Sequence, residues 1–412
     1  AAPEMRDPGC RGTQPKGRGP ENEVKSNRYL PGLVVLFIAS GCAALTYEIV
    51  WYQLLELVIG SSGVSLGVLL GTFMGGLCLG SLFYPRLVSP RWHPLRVYGL
   101  LELGIGVLGL LVLAGMPHVG TFYAAGVGSG LPGILLRGLV CAVCLLPPTF
   151  LMGATLPAIA RWVESSRRGV SWLGFFYGGN TAGAVLGCLV AGFYLLRVHN
   201  MATATWCAAA LNGIIALLSF ALAGFAPHTP DGTAGEQSAA ARPAGAWPVY
   251  AAIALSGLTA LGAEVVWTRL LSLMLGATVY TFSIILAVFL LGIGIGSSAG
   301  SVWARECTRP RLALALCQFL VAAAVAWTAF AITRSLPYWP VNAALSGSPW
   351  YTFQVDLVRC LWAVLPAAIL WGASFPLALA AVAGPGHDPG RLVGGVYAAN
   401  TIGAILGALG VS

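Results

Sequence analysis

The chain has 412 residues, 57% of them apolar and only 9% charged, with 54 Gly and 25 Pro. Water-soluble domains carry about 25% charged residues, so ionic side chains cannot cover a globular surface here and a soluble enzyme is excluded. The formal charge of +8 would suggest nucleic acid in a soluble chain, but the basic residues lie in a polar leader and beside apolar runs, so no nucleic-acid partner is expected.

Residues 1–30 form a Gly- and Pro-rich leader with too few apolar residues to fold, and it lacks the apolar core of a secretory signal. Beyond it, nearly uncharged runs reach the roughly 20 residues that cross a bilayer. They predict spans near 33–58, 62–84, 97–116, 133–160, 170–196, 201–225, 248–274, 279–303, 311–333, 354–382 and 392–412. The fold class is therefore an all-α polytopic membrane protein with eleven spans, the last incomplete, and the lipid bilayer is its first partner. The stretch 226–247 is polar and rich in Pro, Ala and Gly, and reads as a flexible linker between a first bundle, 31–225, and a second, 248–412.

Lys and Arg are retained on the cytoplasmic side. With the N-terminus inside, that side holds seventeen of the 22 basic residues, the outer side holds Arg137, Arg197, Arg334 and Arg359, and Arg269 lies within a span. A cytoplasmic N-terminus and a bacterial inner (plasma) membrane location follow as expectations.

The two halves repeat. Residues 40–62 align without gaps to 256–278, LMGATLP (151–157) matches LWGASFP (370–376), and YGGNTAGAVLG (177–187) matches YAANTIGAILG (397–407). Six spans per half give both copies the same orientation, the parallel-repeat arrangement of two-bundle transporters. By this symmetry a twelfth helix should follow, so the chain is expected to be cut short within its second bundle, and the missing Met at position 1 points to an incomplete N-terminus.

Ionisable groups inside spans are functional candidates by default. Four carboxylates qualify: Glu48, Glu56, Glu102 and Glu264. Glu48 and Glu264 are repeat mates, each three residues before a Trp, Trp51 and Trp267. That spacing suggests an acid beside an aromatic wall, suited to an organic cation or to carrying a proton. The opposing reading is structural: each Glu pairs with a neighbour such as Arg269 or caps a broken helix. The repeat is also asymmetric, since Arg269 stands where the first copy has Gln53, and Gln318 where it has Glu102. The substrate or proton set is thus Glu48, Glu102, Glu264, Trp51, Trp267, Arg269 and Gln318. Tyr177, Asn180, Gly183 and Gly187, with mates Tyr397, Asn400, Gly403 and Gly407, read first as a packing or gating seam of small residues and amides, and second as substrate contacts. The runs 71–81 and 290–298 read as packing or sliding surfaces between bundles.

Other motifs carry no chemistry. Gly104, Gly106 and Gly109 fit a dinucleotide pattern but sit mid-span with no preceding strand. Cys141 and Cys144 form a CxxC without a second ligand pair. No metal and no cofactor is expected, and nothing resembles a nucleophilic triad.

The duplicated SGxxALxxExVWxxLL segments, the stretch Pro94 to Glu102, the GATLP/GASFP pair and the two Tyr-x-x-Asn-Thr-x-Gly-Ala-x-x-Gly stretches resemble the membrane portion of fused transporter-like/spermidine synthase proteins. The resemblance implies a polytopic region similar to the major facilitator superfamily (MFS), followed by a soluble aminopropyltransferase-like domain that this sequence does not contain. It leaves open whether the whole protein is an enzyme. Three readings stand: a domain that binds or moves a small cationic solute such as a polyamine, a non-transporting scaffold for the soluble domain, or a membrane contribution to an active site for a lipid-soluble substrate.

Overall fold

The computed structural model describes residues 20–60, 63–89, 91–126, 131–162, 167–225, 246–276, 278–340, 348–383 and 389–411. They form helices and short connections, and eleven helices are long and apolar enough to cross a membrane. In chain order the spans are α1 (Pro20–Ile59), α2 (Gly63–Leu87), α3 (Pro94–Gly126), α4 (Leu131–Ala160), α5 (Arg167–Val190), α6 (Met201–Phe225), α7 (Trp247–Leu275), α8 (Val279–Glu306), α9 (Pro310–Phe330), α10 (Pro349–Val382) and α11 (Pro389–Val411). A π segment, Ala191–Leu195, prolongs α5, and another, Ala331–Ser335, prolongs α9.

Each expected span corresponds to one helix. The first helix begins earlier than expected, because Pro20–Tyr29 continue α1 into the region read as leader. Pro suits a first helical turn, and the Glu, Lys and Arg that follow are good helix formers even though they cannot build a core. Residues 1–19 of the leader and 226–245 of the linker lie outside the described residues.

The repeat is visible in packing. In the first half α1 lies on α5, α2 on α4, and α3 on α4; in the second α7 lies on α11, α8 on α10, and α9 on α10. The same glycines make these approaches. A Cβ on Gly41 would overlap the Asn180 carbonyl, and one on its mate Gly257 the Asn400 carbonyl. Gly153 backs onto Leu77 as Gly372 backs onto Ile293. The first helix of each half ends on a mate glycine with positive φ, Gly60 at 83° and Gly276 at 99°, a conformation that suits glycine.

The halves meet along two seams, α5 against α8 and α2 against α11. Cys188 Sγ approaches the Ser283 carbonyl at 3.3 Å on the first seam, and Cys78 Sγ the Ala398 carbonyl at 3.9 Å on the second. At the end where α1, α3 and α5 begin, one apolar cluster joins both halves, with Leu33, Tyr84, Tyr98 and Phe176 packed with Phe375, Val382 and Val393. Towards the other end each half has a cluster of its own, around Tyr47 and Trp51 in one and Trp267 and Leu271 in the other, and the halves touch again where Ile49, Cys188 and Ala191 pack with Leu286 and Ala287 and where Tyr52 stacks on Phe282 at 5.2 Å. Between these contacts the halves leave a space.

Candidate functional site: a cavity between the halves

The space is a cavity of about 250 Å³. Its wall is built from repeat mates. On α1, Ala44, Leu45 and Glu48 line it, and on α7 their counterparts Ala260, Leu261 and Glu264. Spacings of three and four residues put these on one helix face, and the alanines keep it low enough for both carboxylates to look into the gap. On α2 Phe73 and Leu77 are matched by Phe289 and Ile293 of α8. On α5 Tyr177, Asn180 and Thr181 are matched by Tyr397, Asn400 and Thr401 of α11.

Neither Glu48 nor Glu264 has a hydrogen-bond or ion-pair partner among the described residues. The two carboxylates lie within electrostatic reach of each other, and Glu48 also within reach of Tyr397 and Cys188. Two like charges within such reach repel, the more so the less water lies between them. A cation between them would relieve that repulsion and offset their desolvation. Towards the end where α1 begins, rings close over the cavity: Tyr177 stacks on Phe375 at 4.8 Å, and Phe375 meets Tyr397 edge-on at 6.2 Å.

The remaining candidates divide. Trp51, 1% exposed, stacks on Tyr47 at 5.0 Å in the interior of the first half. Trp267, 5% exposed, packs against Trp371 in the second. The expectation that these indoles form the cavity's aromatic wall is corrected: three residues beyond a Glu is about 60° around the helix, enough to turn the ring from the gap into its own bundle. The wall's rings are Phe37, Phe73, Tyr177, Phe289 and Tyr397 instead. Arg269 is exposed and makes no ion pair with Glu264, because five residues on from Glu264 the helix has turned to its outer face. Gln318 lies off the cavity and donates Nε2–H to Ser374 Oγ at 2.8 Å. Glu102 is fully buried behind the wall, not in it.

The seam residues face two ways. Gly183 and Gly187 back onto the Ile38 and Cys42 carbonyls of α1, and Gly403 and Gly407 onto those of Ala254 and Leu258 of α7. Their neighbours Tyr177, Asn180, Tyr397 and Asn400 turn the other way, into the cavity. Sequence reasoning missed Ser40 and Asn212, which line the cavity from α1 and α6. The signal for Asn212 was available: it is the one amide in the run 201–225, and amides in hydrocarbon seek partners. Among the described residues no three His, Cys, Asp or Glu side chains group as metal ligands would.

The sequence matches no protein-family model and no curated protein. Among solved structures, the chain is similar to a bacterial homologue of the human lysosomal transporter Spinster in an inward-facing and unoccupied conformation. The TM-score is 0.52 at 15% identity, over 95% of this chain and 82% of that one. A variant of the nucleoside transporter NupG aligns with a TM-score of 0.47 and 12% identity, over 93% of this chain and 99% of that one. At such identity the first likeness shows the fold, which is MFS-like: two helical bundles of like orientation around a central cavity.

Proposed function

We propose that this chain is a membrane transport domain that binds a small organic cation, of the polyamine class, at Glu48 and Glu264 between its two halves. The observation that carries the reading is a pair of unneutralised acids, related by the repeat, facing one cavity at mid-depth. Buried charges persist only when paired or neutralised, and here the solute itself supplies the pairing. The faces of Tyr177, Tyr397 and Phe289 add cation–π attraction. Small residues along the α5–α8 and α2–α11 seams give surfaces on which one bundle can rock against the other, exposing the cavity first on one side and then on the other.

In this reading the N-terminal side is cytoplasmic, in keeping with the excess of basic residues there. An aminopropyltransferase-like domain beyond the second bundle would then meet the solute at the cytoplasmic face. The competing reading, a scaffold that transports nothing, would be favoured by Glu264 paired with Arg269 in a closed core. The exposed Arg269 and the cavity weigh against it.

The test is uptake of radiolabelled spermidine into proteoliposomes. The chain with Glu48→Gln plus Glu264→Gln should fall to the level of protein-free liposomes. Uptake that survives both substitutions removes the assigned role.

A further inference from the structure

The cavity is two-fold symmetric where the acids face it and lopsided beyond them. In the first half all six spans reach its wall, α3 through Ile105, α4 through Met152, Thr155 and Leu156, and α6 through Asn212; in the second half, among the described residues, only α7, α8 and α11 do. Along α1 the wall runs from Phe37 to Glu48, about 16 Å of helix, but along α7 only from Gly257 to Glu264, about 10 Å. Phe37 and Ser40 face the cavity while their mates Ile253 and Ser256 do not, and Ser81 of α2 faces it while Ser297 of α8 does not. The extra space is a lobe within the first half, on the side of the acids where α1 begins.

One exchange of side chains closes the equivalent space in the second half. Trp371 of α10 stands where α4 has Met152. It packs behind Phe289 at 5.9 Å and against Trp267 at 5.5 Å, and its Nε1–H donates to Thr259 Oγ1 at 3.2 Å. The first half has Ala43 in place of Thr259, so an indole there would lack this acceptor, and Tyr47 in place of Ala263, so part of its room is already taken. An unbranched thioether is left at the lobe, and it adapts to what it touches. Phe37, Phe73, Ile105, Met152 and Leu156 give the lobe an apolar surface. Of its hydroxyls, Ser40 donates to Glu102 Oε1 at 2.6 Å and Thr155 to the Met152 carbonyl at 2.7 Å. Glu102 shows no surface to the lobe, and Asn212 Nδ2–H occupies its other oxygen at 2.6 Å. An ammonium entering the lobe would lose water without meeting a carboxylate, whereas hydrocarbon would gain by leaving water.

We infer that the preferred solute is a polyamine bearing an uncharged, apolar arm on one nitrogen. Its charged part lies between Glu48 and Glu264, and its arm lies in the first-half lobe. Met152 and Trp371 set the direction: the acids alone would accept the solute either way round, but only the first half has room for the arm. A bare polyamine would leave the lobe empty or place a charge in it. The inference rests on the cation reading of Glu48 and Glu264 and narrows it, but it concerns a different part of the cavity and can fail separately.

The test compares two ligands of equal length by calorimetry on the whole chain in lipid nanodiscs, with the heats from empty nanodiscs subtracted. N-butylputrescine is spermidine with a methyl group in place of one terminal ammonium, and it should bind at least about tenfold more tightly. Lengthening the arm from methyl to butyl should raise affinity about fourfold per methylene. Ala43→Thr plus Tyr47→Ala plus Met152→Trp gives the first half the packing of the second, and it should flatten that rise. Spermidine bound as tightly as N-butylputrescine overturns the inference, and so does a rise that persists in the folded triple variant. A second measurement reads location without any substitution: N-(azidobenzyl)putrescine, photolysed on the unsubstituted chain, should leave its adduct on Ile105 or Met152–Leu156 and not on Trp371–Phe375. Adducts spread equally over both halves overturn the inference. If only the cation reading fails, Glu48→Gln plus Glu264→Gln leaves both affinities and the rise with arm length unchanged, and the lobe stands. A folded chain that binds neither ligand overturns both.

Discussion

Gly183 and Gly403 offer a quantitative test of whether the two halves are built alike. Gly183 of α5 backs onto α1, where an added Cβ would overlap the Ile38 carbonyl, and Gly403 of α11 backs onto α7, where it would overlap the Ala254 carbonyl. The obstacle in both cases is helix backbone, so no rotamer change relieves it and the helices must part. Overpacking of this kind costs about 1–3 kcal/mol, while Gly→Ala in a helix interior returns roughly 1 kcal/mol of propensity. With a rigid obstacle the upper part of the range applies, giving a net loss of about 2 kcal/mol for each of Gly183→Ala and Gly403→Ala. Gly213 of α6 is the control, because nothing lies within 4 Å of its added Cβ, and Gly213→Ala should gain roughly 1 kcal/mol. Thermal unfolding in one detergent, followed by tryptophan fluorescence, would rank the three. The reasoning is refuted if either seam variant is as stable as the control, or if the two mates differ by more than their common loss.

Two further outcomes follow from the packing. Trp51→Ala should cost about 3–5 kcal/mol of stability and leave spermidine affinity unchanged in the folded protein, because the indole lies in the bundle interior; an affinity loss at unchanged melting temperature would return it to the cavity wall. Arg161, at the end of α4, donates to the Val88 carbonyl at 2.6 Å and the Pro85 carbonyl at 3.2 Å, and its guanidinium lies 4.7 Å from the Tyr84 ring. It closes the last turn of α2, so Arg161→Ala should lower stability by about 2–4 kcal/mol. Lys, which cannot fork to two carbonyls, should restore only part of this in the same unfolding assay.

Much of this architecture was legible before any coordinates. Span length and charge are one-dimensional quantities, and an ungapped repeat across 40–62 and 256–278 fixes like orientation without further geometry. Glu48 and Glu264 were legible for the same reason, since an acid in hydrocarbon is conspicuous. What the sequence could not supply was direction around each helix. Trp51 and Glu48 are near neighbours in spacing yet face a core and a cavity, and only the positions of α2, α5 and α8 decide which is which. Arg269 suggested a partner for Glu264 by proximity along the chain, but the helix turns it outward. The Ser40–Glu102–Asn212 cluster joins three helices and has no spacing signal at all. The start of α1 at Pro20 escaped because polar helix formers look like a leader when judged by apolar content alone.

The proposed function requires Glu48 and Glu264 to share one site. Calorimetric titration of the detergent-solubilised chain with spermidine, repeated for Glu48→Gln and Glu264→Gln singly, tests this most directly. A shared site predicts one spermidine per chain and severe loss of affinity in either single variant. Two spermidines per chain, with each variant keeping one at full affinity, would mean two separate sites and contradict the account.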